Sequence, residues 1–432
     1  MQELSTAKRL LFIFSACIGN LVEYFDWAIY AAFALYFAPL FFPDGDQTAQ
    51  LLNNAAVFAV GFIFRPLGGW VLGNLADKKG RKTALLLSVS LMCLGSLMLA
   101  CNPGYAVIGD WAPALLLLAR ILQGFSIGGE YGSSATYLSE MASPQRRGFY
   151  ASFQYVTIIL GQLLALGLLI IMQKYWLSSE ALHAWGWRIP FVVGAALAVL
   201  AIWLRGHMAE TEAFVEHRNY AGSHANLREL LKHPKAIFTV VALTAGGTVS
   251  YYTYSVYMQK FLVNTSGFSK DDATLITACA LLVFMCVQPL YGWISDYIGR
   301  RLMLIGFGVC ATLFSVPLLT QLAQPQSIAS ALFWYICAVL ITSGYSSVNT
   351  ILKAELFPVH IRALGVGFPY AVAVALFGGT AEYIALWMKS ISHPEWYAYY
   401  VSACAACALL VSLTMQEPKT HSEIDRDQAS PQ

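Results

Sequence analysis

The stretch Gly73–Lys82 reads GNLADKKGRK, and Gly292–Arg301 reads GWISDYIGRR. Both follow G-x-x-x-D-x-x-G-R-[KR], 219 residues apart in a chain of 432. A second pair repeats at almost the same offset. Tyr137–Gly148 (YLSEMASPQRRG) aligns with Leu352–Ala363 (LKAELFPVHIRA), setting Glu140 on Glu355 and Arg147 on Arg362. Two different motifs at one spacing indicate duplicated halves. In each copy of the first motif an aspartate, Asp77 or Asp296, closes a helix. The glycine at 80 or 299 permits a tight turn, and a basic pair follows. Acid and base in a short hairpin can bridge to a neighbouring helix end in one conformation and release it in another. A topological anchor is the alternative for one copy, and the symmetric second copy favours gating. The gating set is then Asp77, Arg81, Glu140 and Arg147 with Asp296, Arg300, Glu355 and Arg362.

Composition says what the halves are made of. The chain is 58% hydrophobic and 12% charged, against about 25% charged in soluble domains. Apolar stretches of bilayer-spanning length recur throughout. Spans are expected over 10–41, 53–75, 83–101, 112–139, 149–173, 189–205, 236–259, 273–294, 302–322, 330–352, 365–388 and 396–415. The fold class is therefore an all-α membrane protein, with twelve transmembrane helices in two pseudo-symmetric six-helix halves. The halves are 1–205 and 236–416, joined by a polar linker over 206–235 and followed by a tail over 417–432. The first apolar run is too long for a signal-peptide core and has no small-residue cleavage site behind it. Of the 26 Lys and Arg, Lys174, Arg188, Lys260, Lys270 and Lys389 fall on one side, Arg65 and Arg120 lie within spans, and the rest fall on the other side. That asymmetry puts both termini in the cytoplasm. The basic residues line short loops, so no nucleic-acid partner is expected. Cys404 and Cys407 form a CxxC with no His or acidic neighbour, which reads as small-residue packing rather than a redox or metal site. No metal or cofactor is expected.

An ionisable residue at mid-bilayer costs about 2.5–3.5 kcal/mol and persists where it faces a cavity, a partner or water. The deep ones are Glu23 and Asp26 in GNLVEYFDWAIYAAF, Arg65 in VGFIFRPLGGW, Arg120 and Glu130 in LLLLARILQGFSIGGEYG, and Glu382 in FGGTAEYIAL. Glu23 and Asp26 share a helix face that Tyr30 extends. Gly124, Gly128 and Gly132 follow Arg120 at four-residue steps, a stripe that lets another helix approach closely. One reading pairs these charges internally, Arg65 with Asp26 and Arg120 with Glu130. The other gives Arg65 and Arg120 an anion to hold, since a guanidinium grips a carboxylate with two prongs and stays charged. Glu23, Asp26 and Glu130 then carry protons, since no histidine lies deep in a span. In SYYTYSVYMQKFLVN, Tyr251, Tyr254 and Gln259 face either the cavity or an interfacial aromatic belt. Lys260 is expected near the outer interface, where snorkelling accounts for it, with substrate binding as its other use.

Two six-helix halves with this loop motif resemble the major facilitator superfamily. Longer stretches narrow it: RPLGGWVLGNLADKKGRK, LLLLARILQGFSIGGEYGSSATYLSE, RRGFYASFQYVTIILGQLLAL, WGWRIPF, YMQKFLVNTSG, ILKAELFPVHIRALGVG and FGGTAEYIAL resemble its metabolite:proton symporter branch over nearly the whole chain. The resemblance implies a transporter, not an enzyme, in a bacterial inner membrane. It implies import of a dicarboxylate with protons, α-ketoglutarate first, with citrate or another organic acid as the alternative. A transporter-shaped nutrient sensor is the alternative of another class, and it would want a signalling domain. The osmosensing members of the branch carry a long charged C-terminal extension, which is not expected here because the chain stops soon after Gln416. A monomer in membrane lipid is expected.

Overall fold

The computed structural model describes residues 6–79, 81–142, 144–206, 227–324, 327–358 and 361–425. Six long helices build the first half: α1 Thr6–Phe41, α2 Gln47–Lys79, α3 Arg81–Cys101, α4 Trp111–Met141, α5 Arg147–Ile171 and α6 Ile189–Gly206. Six more build the second: α7 Pro234–Tyr252, α8 Lys270–Ile298, α9 Arg300–Ala323, α10 Ile328–Glu355, α11 Arg362–Ala373 and α12 Trp396–Thr414. α7 runs on through a π turn, Thr253–Tyr257, into Met258–Asn264. α11 runs on through another, Val374–Gly378, towards Ala381–Ser390. Such turns re-aim side chains within a helix and gather at functional sites. Among the described residues, 11 helices are long and apolar enough to span a bilayer, and α3 adds the shorter apolar stretch Leu86–Cys101.

The helices overrun the expected spans. α2, expected over 53–75, runs Gln47–Lys79, because helical hydrogen bonding continues past the hydrocarbon into the polar layer. The exterior is apolar, with Leu313, Phe314 and Val199 exposed, whereas Arg120 and Lys353 are buried to 0% and 1% exposure. This inversion follows when the surrounding solvent is lipid.

Within the first half, α4 packs on α2 through the expected glycine stripe. A Cβ on Gly124 would sit 1.8 Å from the Gly61 carbonyl oxygen, and one on Gly128 would sit 1.9 Å from that of Arg65. Gly132 also meets the other half, where a Cβ on Gly367 of α11 would lie 3.3 Å from its Cα. Across the seam α5 lies on α8 and α10, and α11 lies on α2 and α4. The α5–α8 approach is again glycine on glycine, with a Cβ on Gly292 meeting the Gly148 carbonyl oxygen at 2.5 Å.

The stripe can be tested directly. Gly128→Ala must push α4 off α2, an overpacking worth about 1–3 kcal/mol or more, and should lower the heat-unfolding midpoint of the purified protein. Gly167→Ala, whose Cβ meets nothing within 4 Å, should leave the midpoint unchanged or raise it. Equal behaviour of the two variants would remove the stripe as a packing device.

Candidate functional site

Trp27 of α1 lies between two guanidinium groups. Arg120 Cζ stands 3.6 Å from its ring centroid and Arg65 Cζ 4.4 Å. Arg120 also faces Tyr30 at 4.4 Å, and Arg65 faces Phe62 at 3.9 Å. A desolvated cation–π contact is worth about 2 kcal/mol, less than the solvation such a cation gives up. Arg120 Nη1 donates to Gln123 Oε1 at 2.6 Å, and Gln123 Nε2 donates to Asp26 Oδ2 at 2.5 Å. Ser96 donates to the other Asp26 oxygen. An amide thus stands between the charges, so Asp26 and Arg120 are linked without touching. Arg65 does not pair with Asp26. Its Nη1 crosses the seam to Tyr252 Oη at 3.4 Å. Among the described residues, the Nε and Nη2 atoms of both arginines have no hydrogen-bond partner.

The other sequence candidates separate into groups. Glu23, Asp26 and Tyr30 do share a face of α1, but it packs inside the first half. Glu23 meets Ser126 of α4 at 3.5 Å, and Tyr30 donates to the Asn54 carbonyl at 3.3 Å. The Tyr254 carbonyl accepts from Tyr335 inside the second half. At the seam stand Tyr251, with its ring 5.4 Å from that of Tyr155 on α5, and Tyr252. Gln259 donates to Thr274 at 2.9 Å and lines, with Trp27, Gln162 and Ser255, a cavity of about 20 Å³ between the halves. That is room for a water molecule. Lys260 does not snorkel. It is buried and pairs with Glu382 at 2.5 Å, because the helical segment Ala381–Ser390 carries a carboxylate to it and an interior ion pair outcompetes a long reach to water. The side chains of Glu130, Asp77, Arg81 and Glu140 lie outside the described residues.

On the face that bears the duplicated turn, Gly299 has φ 94°, a conformation that favours glycine, and α9 starts at the next residue. Asp296 reaches across the seam. Its carboxylate accepts from the Gly148 and Phe149 amides at 2.8 and 3.0 Å, at the free N-terminus of α5. A carboxylate there also meets the positive end of the helix dipole, worth about 0.3–1 kcal/mol. Arg300 bonds Asp296 at 2.9 Å and Glu355 at 3.5 Å. Arg362 donates to the Ala354 and Phe357 carbonyls at the end of α10. Arg147 bonds Asp425 at 2.7 Å. The segment Glu417–Asp425, expected only as a tail, therefore straps the seam: Glu417 caps α9 through the Arg300 and Arg301 amides, and Asp425 holds the first half.

Sequence reasoning missed Lys353, Tyr131, Tyr252 and Tyr370. It ended the tenth span at 352 and counted Lys353 as a loop charge. The available signal was the stripe Tyr345, Asn349, Lys353 at four-residue spacing along one face of an apolar helix.

The family described as sugar (and other) transporters matches residues 12–227 and 204–427. The chain belongs to this family. It is 52% identical over 410 residues to the alpha-ketoglutarate permease of Escherichia coli (strain K12), covering 95% of this chain and 94% of that protein. It is 31% identical over 417 residues to the citrate-proton symporter of Klebsiella pneumoniae, covering 95% and 93%. A solved xylose transporter from E. coli, partially occluded and inward open, superposes with a TM-score of 0.72 at 20% identity, covering 95% of this chain and 99% of that one. The fold is that of the major facilitator superfamily, and this chain is a multi-pass membrane transporter.

On the opposite face of the transporter, Lys270 donates to the Leu35 carbonyl at 3.1 Å and meets His183 Nε2 at 3.0 Å. His183 Nδ1 lies 3.2 Å from the Tyr36 carbonyl. Both contacts are satisfied when Nδ1 carries the proton and Nε2 accepts from lysine, so the imidazole is neutral. Burial, then the neighbouring Lys270 charge, lower its pKa from the ordinary value, about 6.5. Protonation is thus easier once this face opens, and falling pH favours the open form. Acidifying this side from about pH 7.5 to 5.5 should raise the labelling rate of a cysteine placed beside His183. His183→Gln should abolish that pH step. A step of equal size in the variant would remove His183 from the response.

Proposed function

We propose that the transporter imports a dicarboxylate, α-ketoglutarate foremost, together with protons by alternating access. The observation that carries the substrate is the identity gradient: 52% to the alpha-ketoglutarate permease against 31% and 33% to the citrate-proton symporters. The chemistry agrees, because buried arginines with no carboxylate partner among the described residues suit an anion. In this reading the chain sits in a bacterial inner membrane as a monomer among lipids. The duplicated turn faces the cytoplasm with both termini. The first half spans 1–205, the linker 206–235, the second half 236–416 and the tail 417–432.

Arg65 and Arg120, bracketing Trp27, form the cationic wall of the substrate site in the first half, with Tyr30 behind them. Gln259 shapes the opposite wall, with Tyr254 behind it within the second half, and Lys260 joins it when its pair with Glu382 opens. Glu23, Asp26 and Glu130 are the proton carriers. Asp26 is wired to Arg120 through Gln123, so a change of charge at one is felt at the other. The cytoplasmic gate comprises Asp296, Arg300, Glu355, Arg362 and Arg147, with Asp77, Arg81 and Glu140 as the duplicated counterparts. Alternating access then breaks the Asp296 bonds to α5 and remakes the Lys270 contacts on the other face in turn.

Proteoliposomes holding the purified protein test this. An inward proton gradient should drive uptake of labelled α-ketoglutarate. Excess unlabelled α-ketoglutarate should suppress it about tenfold more effectively than citrate. With two protons per dianion the cycle is electroneutral, whereas a third adds one inward charge, worth about 2.3 kcal/mol per 100 mV. Substrate-dependent current separates those cases. Uptake indifferent to the proton gradient, or citrate competing better than α-ketoglutarate, would overturn the reading.

A further inference from the structure

Lys353 is 1% exposed and sits between the halves. Its ammonium donates to Tyr131 Oη at 3.3 Å and stands 3.4 Å from the Tyr370 ring centroid. Those two rings stack at 4.0 Å, Tyr131 from α4 of the first half and Tyr370 from α11 of the second. One turn back on α10, Asn349 donates to Tyr155 Oη of the first half at 2.7 Å. From Tyr155 the rings of Tyr251 and Tyr252 follow at 5.4 Å each, and Tyr252 holds Arg65. Lys353 and Arg65 therefore belong to one tyrosine-lined layer at the seam. Their levels agree as well. Gly128 of α4 packs on the Arg65 carbonyl, and Tyr131 lies three residues on, roughly 4.5 Å along the axis.

The two cations are arranged alike. Arg65 comes from the first half and bonds a tyrosine of the second, whereas Lys353 comes from the second and bonds a tyrosine of the first. Among the described residues, neither has a carboxylate within 4.0 Å. Lysine offers three donors, and among the described residues it makes a single hydrogen bond here, to a neutral hydroxyl.

We propose that Lys353 is the second-half cation of the substrate site, binding one carboxylate of the organic acid while Arg65 binds the other. This rests on the organic-acid reading above and deepens it. A substrate carboxylate replaces a neutral hydroxyl with a charged acceptor, and such a bond is roughly twice as strong. Acids with a carboxylate at each end satisfy both cations, whereas a monocarboxylate leaves one bare, so Lys353 sets the preference for diacids. The partners displaced, Tyr131 and Tyr252, each belong to the half opposite the cation. Binding therefore exchanges two bonds across the seam for one molecule that spans it.

Binding to the purified full-length protein tests this, with α-ketoglutarate, citrate and 2-oxopentanoate, the last having the same five-carbon chain without the distal carboxylate. Lys353→Met should weaken α-ketoglutarate by roughly 30-fold or more and leave the weak binding of 2-oxopentanoate unchanged. Lys353→Arg should recover most of that loss. The ligand-free unfolding midpoint of Lys353→Met should hold or rise, because a bare buried charge is removed, whereas a purely structural lysine pinning Tyr131 would lower it. α-Ketoglutarate bound equally by parent and Lys353→Met overturns this inference alone. A fall in 2-oxopentanoate binding as large as that of α-ketoglutarate does the same. Citrate bound by the parent with no α-ketoglutarate binding overturns the substrate reading, and Lys353 is then scored on citrate. Binding of none of the three overturns both.

Discussion

A full positive charge in a hydrocarbon-walled interior demands something to offset it. Arg65, Arg120 and Lys353 are buried, and among the described residues none has a carboxylate within 4.0 Å. On insertion scales each costs about 2.5–3.5 kcal/mol, so the three together are comparable with the whole stability of an ordinary domain, about 5–15 kcal/mol. Trp27, Tyr131, Tyr252 and Tyr370 soften that cost through ring faces and hydroxyls without cancelling it. The arrangement makes sense when an anion completes it, and the surroundings follow. The aromatic residues hold the cations in place, and the glycine contacts of α2 and α4 bring Arg65 and Arg120 to the same tryptophan.

The seam has a graded chemistry. At its centre the bonds between halves run from cations to neutral tyrosines, which a carboxylate can displace. At the face carrying the duplicated turn they run from a carboxylate to the free amides of α5 and from Arg147 to Asp425. At the other face a lysine meets a carbonyl and a neutral imidazole. Contacts of this kind are few, polar and local, so either face can open while the glycine-packed interiors of the halves stay rigid.

Much of this was legible in the sequence. The repeat of GNLADKKGRK and GWISDYIGRR forecast the two halves, and the apolar spans forecast their helices. Arg65 and Arg120 stood out because charge in apolar surroundings is conspicuous, and Asp296 because its motif is duplicated. What stayed hidden had physical causes. Lys353 lies in the last turn of α10, where a lysine usually reaches water, and only the packing of α4 and α11 shows that it does not. Lys260 was misplaced for the converse reason, since its partner Glu382 is 122 residues away in sequence. Of the tyrosines at the start of α7, Tyr251 was singled out and stands at the seam, whereas Tyr252 was missed and Tyr254 lies within the second half, because the π turn in α7 resets the helical phase.

The central claim is that the interior of this protein is completed by an anion, and one comparison tests it. The purified transporter should unfold at a temperature several degrees higher with saturating α-ketoglutarate, and at an unchanged temperature with the dimethyl ester of the same acid, which keeps the carbon skeleton and loses both charges. Equal stabilisation by acid and ester, or none by the acid at saturation, would contradict the account.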